Sequence, residues 1–240
     1  MTVLTPGRTD PAQPVSRPAP RALLLLIGCS LAVFLAVGLL VHWRVTGQFD
    51  RWLLGLVGSP EGSWTAQVAV AVTRLGDATP LLTILIVAGV LVPVRWGVGW
   101  RLIALPSAAA VVAFSTSSVI KQLTARARPP SVHWASTAHG FAFPSGHATT
   151  ATAGYLVLAV LISGLMPTAR RRRAVRGAGI TVAFLVGASR IVLAVHWPTD
   201  VIAGWALGTA VAAATLALAQ LPTGSGPSGH SAPPATEPPR

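Results

Sequence analysis

The chain has 240 residues, of which 52% are hydrophobic and only 10% are charged; a soluble domain carries about 25% charged residues, so an ordinary soluble fold is excluded and a membrane protein is indicated. Eighteen lysines and arginines stand against 6 acidic residues, a formal net charge of +12. Such an excess fits nucleic acid, a membrane surface or cytoplasmic loops, and the placement of the charges decides between them. The one cysteine, Cys29, lies in an apolar run, which excludes an intramolecular disulfide.

In chain order, residues 1–20 are rich in Pro, Thr and Arg without apolar periodicity and read as a disordered tail. Ala22–Val41 is apolar over the ~20 residues that cross a bilayer. It lacks a small-residue cleavage site and reads as a retained first span. His42–Thr79 contains Gly47, Asp50, Arg51, Gly58, Pro60, Glu61 and Gly62, which break any span. Within it Trp64–Leu75 is too short to cross and reads as re-entrant or interfacial, or as joining the next span. Pro80–Val94 and Leu102–Ile120 are the second and third spans, Ala148–Met166 the fourth, Gly177–Val195 the fifth and Asp200–Leu221 the sixth. Gly204 and Gly208 in the sixth allow close helix packing. Residues 222–240 read as a second disordered tail. The expected architecture is an all-α membrane domain over 21–221, with six transmembrane helices and an interfacial helix.

With six spans, Arg8, Arg17, Arg21, Arg95, Arg101 and the Arg170–Arg173 run with Arg176 all fall on one side. The positive-inside rule makes that side cytoplasmic, with both chain ends there, in a multi-pass protein of the plasma membrane. The loops then account for the basic excess without nucleic acid. On the opposite, outer face fall Lys121, Arg126, Arg128, Ser145, His147, Ser189, Arg190, His196 and Asp200.

Cations on the outer face run against the topology bias, and ionisable groups at membrane depth are functional by default. Lys121, the only lysine in the chain, joins Arg128 and Arg190 from separate segments. Only Asp77 and Asp200 are read as carboxylates near the membrane, so an external anion such as phosphate is implied. Pro144-Ser145-Gly146-His147 opens a helix, whose free N–H groups attract anions. Asp200 follows His196 by four residues at a helix start, within reach of the imidazole. Such a carboxylate fixes the ring's tautomer and raises its basicity. His147 would supply the acid.

Lys121 followed by Arg128-Pro129, then Pro144-Ser145-Gly146-His147, then Ser189-Arg190 with His196 and Asp200, closely resembles the three-part signature of the type 2 phosphatidic acid phosphatase family. That family shares its site with vanadium haloperoxidases. The resemblance implies a lipid phosphatase. In it His196 is the nucleophile that carries a phosphohistidine, and Asp200 orients it. His147 protonates the leaving oxygen and then activates water. Lys121, Arg128, Ser145, Gly146 and Arg190 cradle the phosphate. It implies no metal and no other cofactor, since arginines and backbone N–H groups stabilise the charge. Arg126 is a rival for Arg128 but lacks the spacing and the following proline; Ser189 supports the site. His133, His139 and Trp134 read as residues of a lid.

The expected partners are a lipid phosphate and the bilayer. The substrate is phosphatidate-like, phosphatidylglycerophosphate-like or a polyprenyl diphosphate such as undecaprenyl diphosphate. A lipid phosphotransferase would use the same intermediate. A haloperoxidase is set aside because its relatives are soluble. A transporter or scaffold gives no reason for His147, His196 and Asp200 to meet. Oligomeric state is not legible.

Overall fold

A computed structural model describes residues 18–96 and 100–221. The two expected tails lie outside the described residues, apart from 18–20. Helix α1, Pro20–His42, has proline in its first turn, where a missing N–H costs nothing. Then come α2, Gly47–Val57, α3, Trp64–Thr73, a 3-10 turn at Arg74–Gly76, and α4, Ala78–Trp96. The second half holds α5, Arg101–Thr124, α6, Gly146–Gly164, α7, Ala169–Val192, and α8, Pro198–Leu218. Among the described residues the chain is all helix and irregular connections. Among the described residues, five helices (α1, α5, α6, α7 and α8) are long and apolar enough to cross a membrane. A sixth crossing is available if Trp64–Gly76 and Thr79–Ala88 count as one span bent by 59°.

α6 is the central helix, buried along most of its length between α5, α7 and α8. Glycines on α8 permit this. A methyl group at Gly204 would stand 2.8 Å from both Ala148 Cβ and Ser145 O, and one at Gly208 would stand 2.5 Å from Thr149 O. The close approach expected of this glycine pair is therefore real, and it seats the start of α8 against the start of α6. α1 lies along α8, and small and aliphatic side chains (Ala109, Ala113, Ala153, Val157, Ala212 and Ala213) fill the space among α5, α6 and α8.

Two span ends are corrected and one helix is added. The stretch from Gly47 to Gly62, expected to break any span, holds a short helix, α2, that is not a span. Its Phe49, Trp52 and Leu56 face outward while Asp50 is only 1% exposed. Helical period puts the apolar residues on one face and the acid on the other, which suits an interfacial helix. The fifth span stops at Val192, short of Val195. The N–H groups of Val195 and His196 both turn back to the Arg190 carbonyl, and Ala194 takes a left-handed φ of 55° to allow it. The third helix runs past Ile120 to Thr124, so Lys121 sits in its last turn, which ends at Ala125 with φ 44°.

Candidate active site

Helix ends from separate parts of the chain meet at one end of the bundle. Lys121 comes from the end of α5, Gly146 and His147 from the start of α6, and Arg190 from the end of α7. His196 comes from the α7–α8 turn and Asp77 from the residue before α4. With Arg128, Thr150, His139, Ser117 and others they line one cavity of about 310 Å³. Arg21, Arg101 and the Arg170–Arg173 run lie at the opposite ends of the helices concerned. Arg8 and Arg17, and the side chain of Arg95, lie outside the described residues.

His196 is 2% exposed. Its Nδ1 is 3.4 Å from Asp200 Oδ2, and its Nε2 is 3.0 Å from Arg128 Nη1. Burial, then the nearby Arg128, Lys121 and Arg190 cations, hold the imidazole well below its ordinary pKa of 6.5. This environment favours the neutral imidazole over the charged one. Asp200 is fixed from two other sides: Oδ2 accepts the Trp197 N–H at 2.9 Å, and Oδ1 accepts from Arg126.

The cations are held by carbonyls. Arg128 donates to Gly140 O at 2.9 Å, His139 O at 2.8 Å and Val195 O at 2.6 Å. Lys121 Nζ donates to Phe141 O at 2.7 Å. Burial lowers the Arg128 pKa from its ordinary value, with the Asp200 charge acting the other way. Arg190 donates to Thr73 Oγ1 at 2.8 Å, yet its buried Nε has no partner among the described residues. Thr150 Oγ1, in the wall of the cavity, is likewise unpartnered. Buried donors left unpaired cost free energy that an anion in the cavity would recover.

Of the residues singled out in the sequence, Lys121, Arg128, Gly146, His147, Arg190 and His196 line the cavity. Asp200 stands behind His196. Ser145 is fully buried beneath the start of α6, outside the cavity lining, with its hydroxyl unpartnered. It holds the position before the helix without capping it. Ser189 is turned away and donates to Val186 O. His139 reaches the cavity; His133 and Trp134 line a different groove.

Sequence reasoning missed three things. Asp77 Oδ1 accepts from His147 Nε2 at 2.8 Å, so the second histidine also has a carboxylate. Arg126 is neither a cavity cation nor a bystander: it bridges Asp200 to Asp50. In the sequence Asp50 reads only as a residue that breaks a span, and nothing in its local pattern marks it as a partner of residues far along the chain. Thr150 could have been found, since it follows directly on the first turn of α6 and its hydroxyl can donate to phosphate.

Comparison with known proteins identifies the family. A family model described as the PAP2 superfamily matches residues 101–223, just over half of the chain. Phosphatidylglycerophosphatase B of Bacillus subtilis (strain 168) is 28% identical over 183 residues, covering 73% of this chain and 85% of that protein. An undecaprenyl-diphosphatase of Sulfolobus acidocaldarius is 34% identical over 104 residues, covering 41% of this chain and 46% of that protein. Among solved structures, a transmembrane PAP2 type phosphatidylglycerolphosphate phosphatase from Bacillus subtilis superposes with a TM-score of 0.72 at 24% identity. The match covers 83% of this chain and 95% of that one, and shows the shared fold. Fold, site and relatives together define a multi-pass membrane phosphatase. The chain belongs to the PAP2 superfamily.

Proposed function

We propose that the protein hydrolyses the terminal phosphate of a lipid, a phosphatidylglycerophosphate-like monoester or a polyprenyl diphosphate, through a phosphohistidine. The observation that carries this is the pairing of each cavity histidine with its own carboxylate, His196 with Asp200 and His147 with Asp77, beside three cations from three segments. The names of the relatives supply the substrate classes.

In this reading the phosphoryl oxygens take up donors from Lys121, Arg128 and Arg190 and the N–H groups at the start of α6, with Gly146 leaving room for them. Ser145 steadies that first turn, with its hydroxyl available to the phosphate on a small movement of the helix start. His196 Nε2 attacks phosphorus in line. The P–O bond to the lipid breaks, and His147 gives its proton to the departing oxygen. Asp77 stabilises the imidazolium of His147, and Asp200 stabilises the charge that forms on His196. A water molecule, deprotonated by His147, then attacks the phosphohistidine and releases inorganic phosphate. The cations do the work of charge stabilisation, so activity is expected to survive EDTA.

The arginines at the far ends of α1, α5 and α7 support an orientation with that end cytoplasmic and the cavity facing outward. The arrangement belongs to a single membrane domain over 21–221. The deciding experiment measures phosphate released from phosphatidate, phosphatidylglycerophosphate and undecaprenyl diphosphate by the purified protein with EDTA present. Release from none of them, or release only with added Mg²⁺, would sink the proposal. His196→Ala should lose turnover and the acid-labile phosphoprotein together; if it keeps either, the nucleophile is another group.

A further inference from the structure

Behind His196, outside the reacting cavity, one guanidinium is shared by two buried carboxylates. Arg126 Nη2 donates to Asp50 Oδ2 at 2.6 Å, while Nη1 donates to Asp200 Oδ1 and to Thr199 Oγ1 at 2.9 Å. Asp50 is then saturated. Its Oδ1 accepts the Thr199 N–H at 3.0 Å, and the Thr199 hydroxyl lies 2.9 and 2.8 Å from its two oxygens. Asp50 and Asp200 are 1% and 0% exposed. None of these four residues lines the cavity. Asp50 also lies outside the stretch that matches the family, on α2, an element otherwise joined to the bundle by limited packing against α7 and α8.

The charges do not cancel: one cation faces two anions. A lone Arg126–Asp200 pair would be neutral and would spend the Asp200 charge on the guanidinium. With Asp50 drawing on the same guanidinium, negative charge remains for the imidazole. We propose that Asp50 and Arg126 are positioning residues for His196, setting where Asp200 stands and how much of its charge the imidazole feels. This rests on the phosphohistidine reading, in which the ring must be a neutral nucleophile that becomes positive on attack.

Opposite charges must then give opposite effects. Asp50→Asn removes a negative charge of nearly the same shape, so His196 protonates less readily. The acid limb of the kcat/KM profile moves to lower pH, and kcat falls as the ring becomes less basic. Arg126→Gln removes a positive charge and moves the same limb to higher pH. Each shift is expected to be about half to one pH unit. The other charged groups facing His196 are unchanged in both variants: Lys121 on α5, Arg128 in the loop, His147 with Asp77, Arg190 on α7 and Asp200 on α8. KM and inhibition by inorganic phosphate should stay within about twofold, because neither residue touches the cavity.

The pH–rate profiles of the purified full chain, with thermal midpoints recorded in parallel, are the test. Shifts of opposite sign support the proposal. Shifts of the same sign, or no shift with lowered activity, mean only structural support and overturn it. Should one of the two variants fail to assemble, the other decides by the sign of its own shift, and a limb that stays in place or moves the opposite way sinks the idea. Absence of phosphate release by the parent protein, or its retention by His196→Ala, would instead refute the reaction proposed above.

Discussion

Arg128 Nη1 lies 3.0 Å from His196 Nε2. A guanidinium can only donate, so Nε2 is the acceptor and the ring proton sits on Nδ1, toward Asp200. This is the tautomer that the proposed attack at phosphorus requires. In the proposed reaction an incoming phosphoryl oxygen would take the same Arg128 donor and free the Nε2 lone pair. Arg128→Lys keeps the charge but loses the fork that spans Gly140, His139 and Val195 carbonyls and the imidazole at once. A drop of about 10²-fold or more in kcat/KM is expected, measured as phosphate release. A loss below about threefold would mean that Arg128 serves only as a point charge.

In the proposed reaction, acid inactivation follows from His196. Its pKa is depressed from the ordinary 6.5 by burial and by neighbouring cations. The neutral, reactive form therefore persists below that pH, and the acid limb of kcat/KM should fall clearly under 6.5. A limb above 6.5, in a profile of phosphate release against pH, would contradict the buried, cation-flanked environment.

Asp77 lies 2.8 Å from His147 and lines the same cavity. Asp77→Ala should cost about 10–100-fold in kcat on a lipid alkyl phosphate, whose leaving oxygen needs a proton. A substrate with a good leaving group, p-nitrophenyl phosphate, needs little protonation and should lose much less. Equal losses on both substrates would remove Asp77 and His147 from the leaving-group step.

The α6–α8 contact leaves no room for a methyl group at Gly208, where Thr149 O would be 2.5 Å away. Gly208→Ala should lower stability by about 1–3 kcal/mol, read as a fall in thermal midpoint in detergent. Gly204→Ala presses on Ser145 O and should lower activity as well, because that carbonyl sits at the start of the α6 turn. Gly28→Ala, where nothing lies within 4 Å, is the control and should change neither.

Much of the architecture was readable from patterns that are local. Apolar runs of about twenty residues announce spans because every backbone group in lipid must be paired within a helix. Pro198 and Asp200 mark the start of α8, and the Arg170–Arg173 run marks one end of the bundle. Lys121, Arg128, His147, Arg190 and His196 stood out because cations and histidines are costly beside apolar helices and each therefore needed a reason.

The rest depended on how the helices meet. Asp50 lies 76 residues before Arg126, and Asp77 lies 70 before His147. No spacing rule links residues so far apart. α2 is hidden because Gly47, Asp50 and Arg51 read as breaks until the helix is seen with its apolar face turned outward. Sequence alone determined which residues carry charge and where the chain can cross a membrane, since both follow from side-chain chemistry and local period. Only the tertiary structure decided which carboxylate answers which cation. That choice is made by packing, where a buried charge must find a partner wherever the chain brings one.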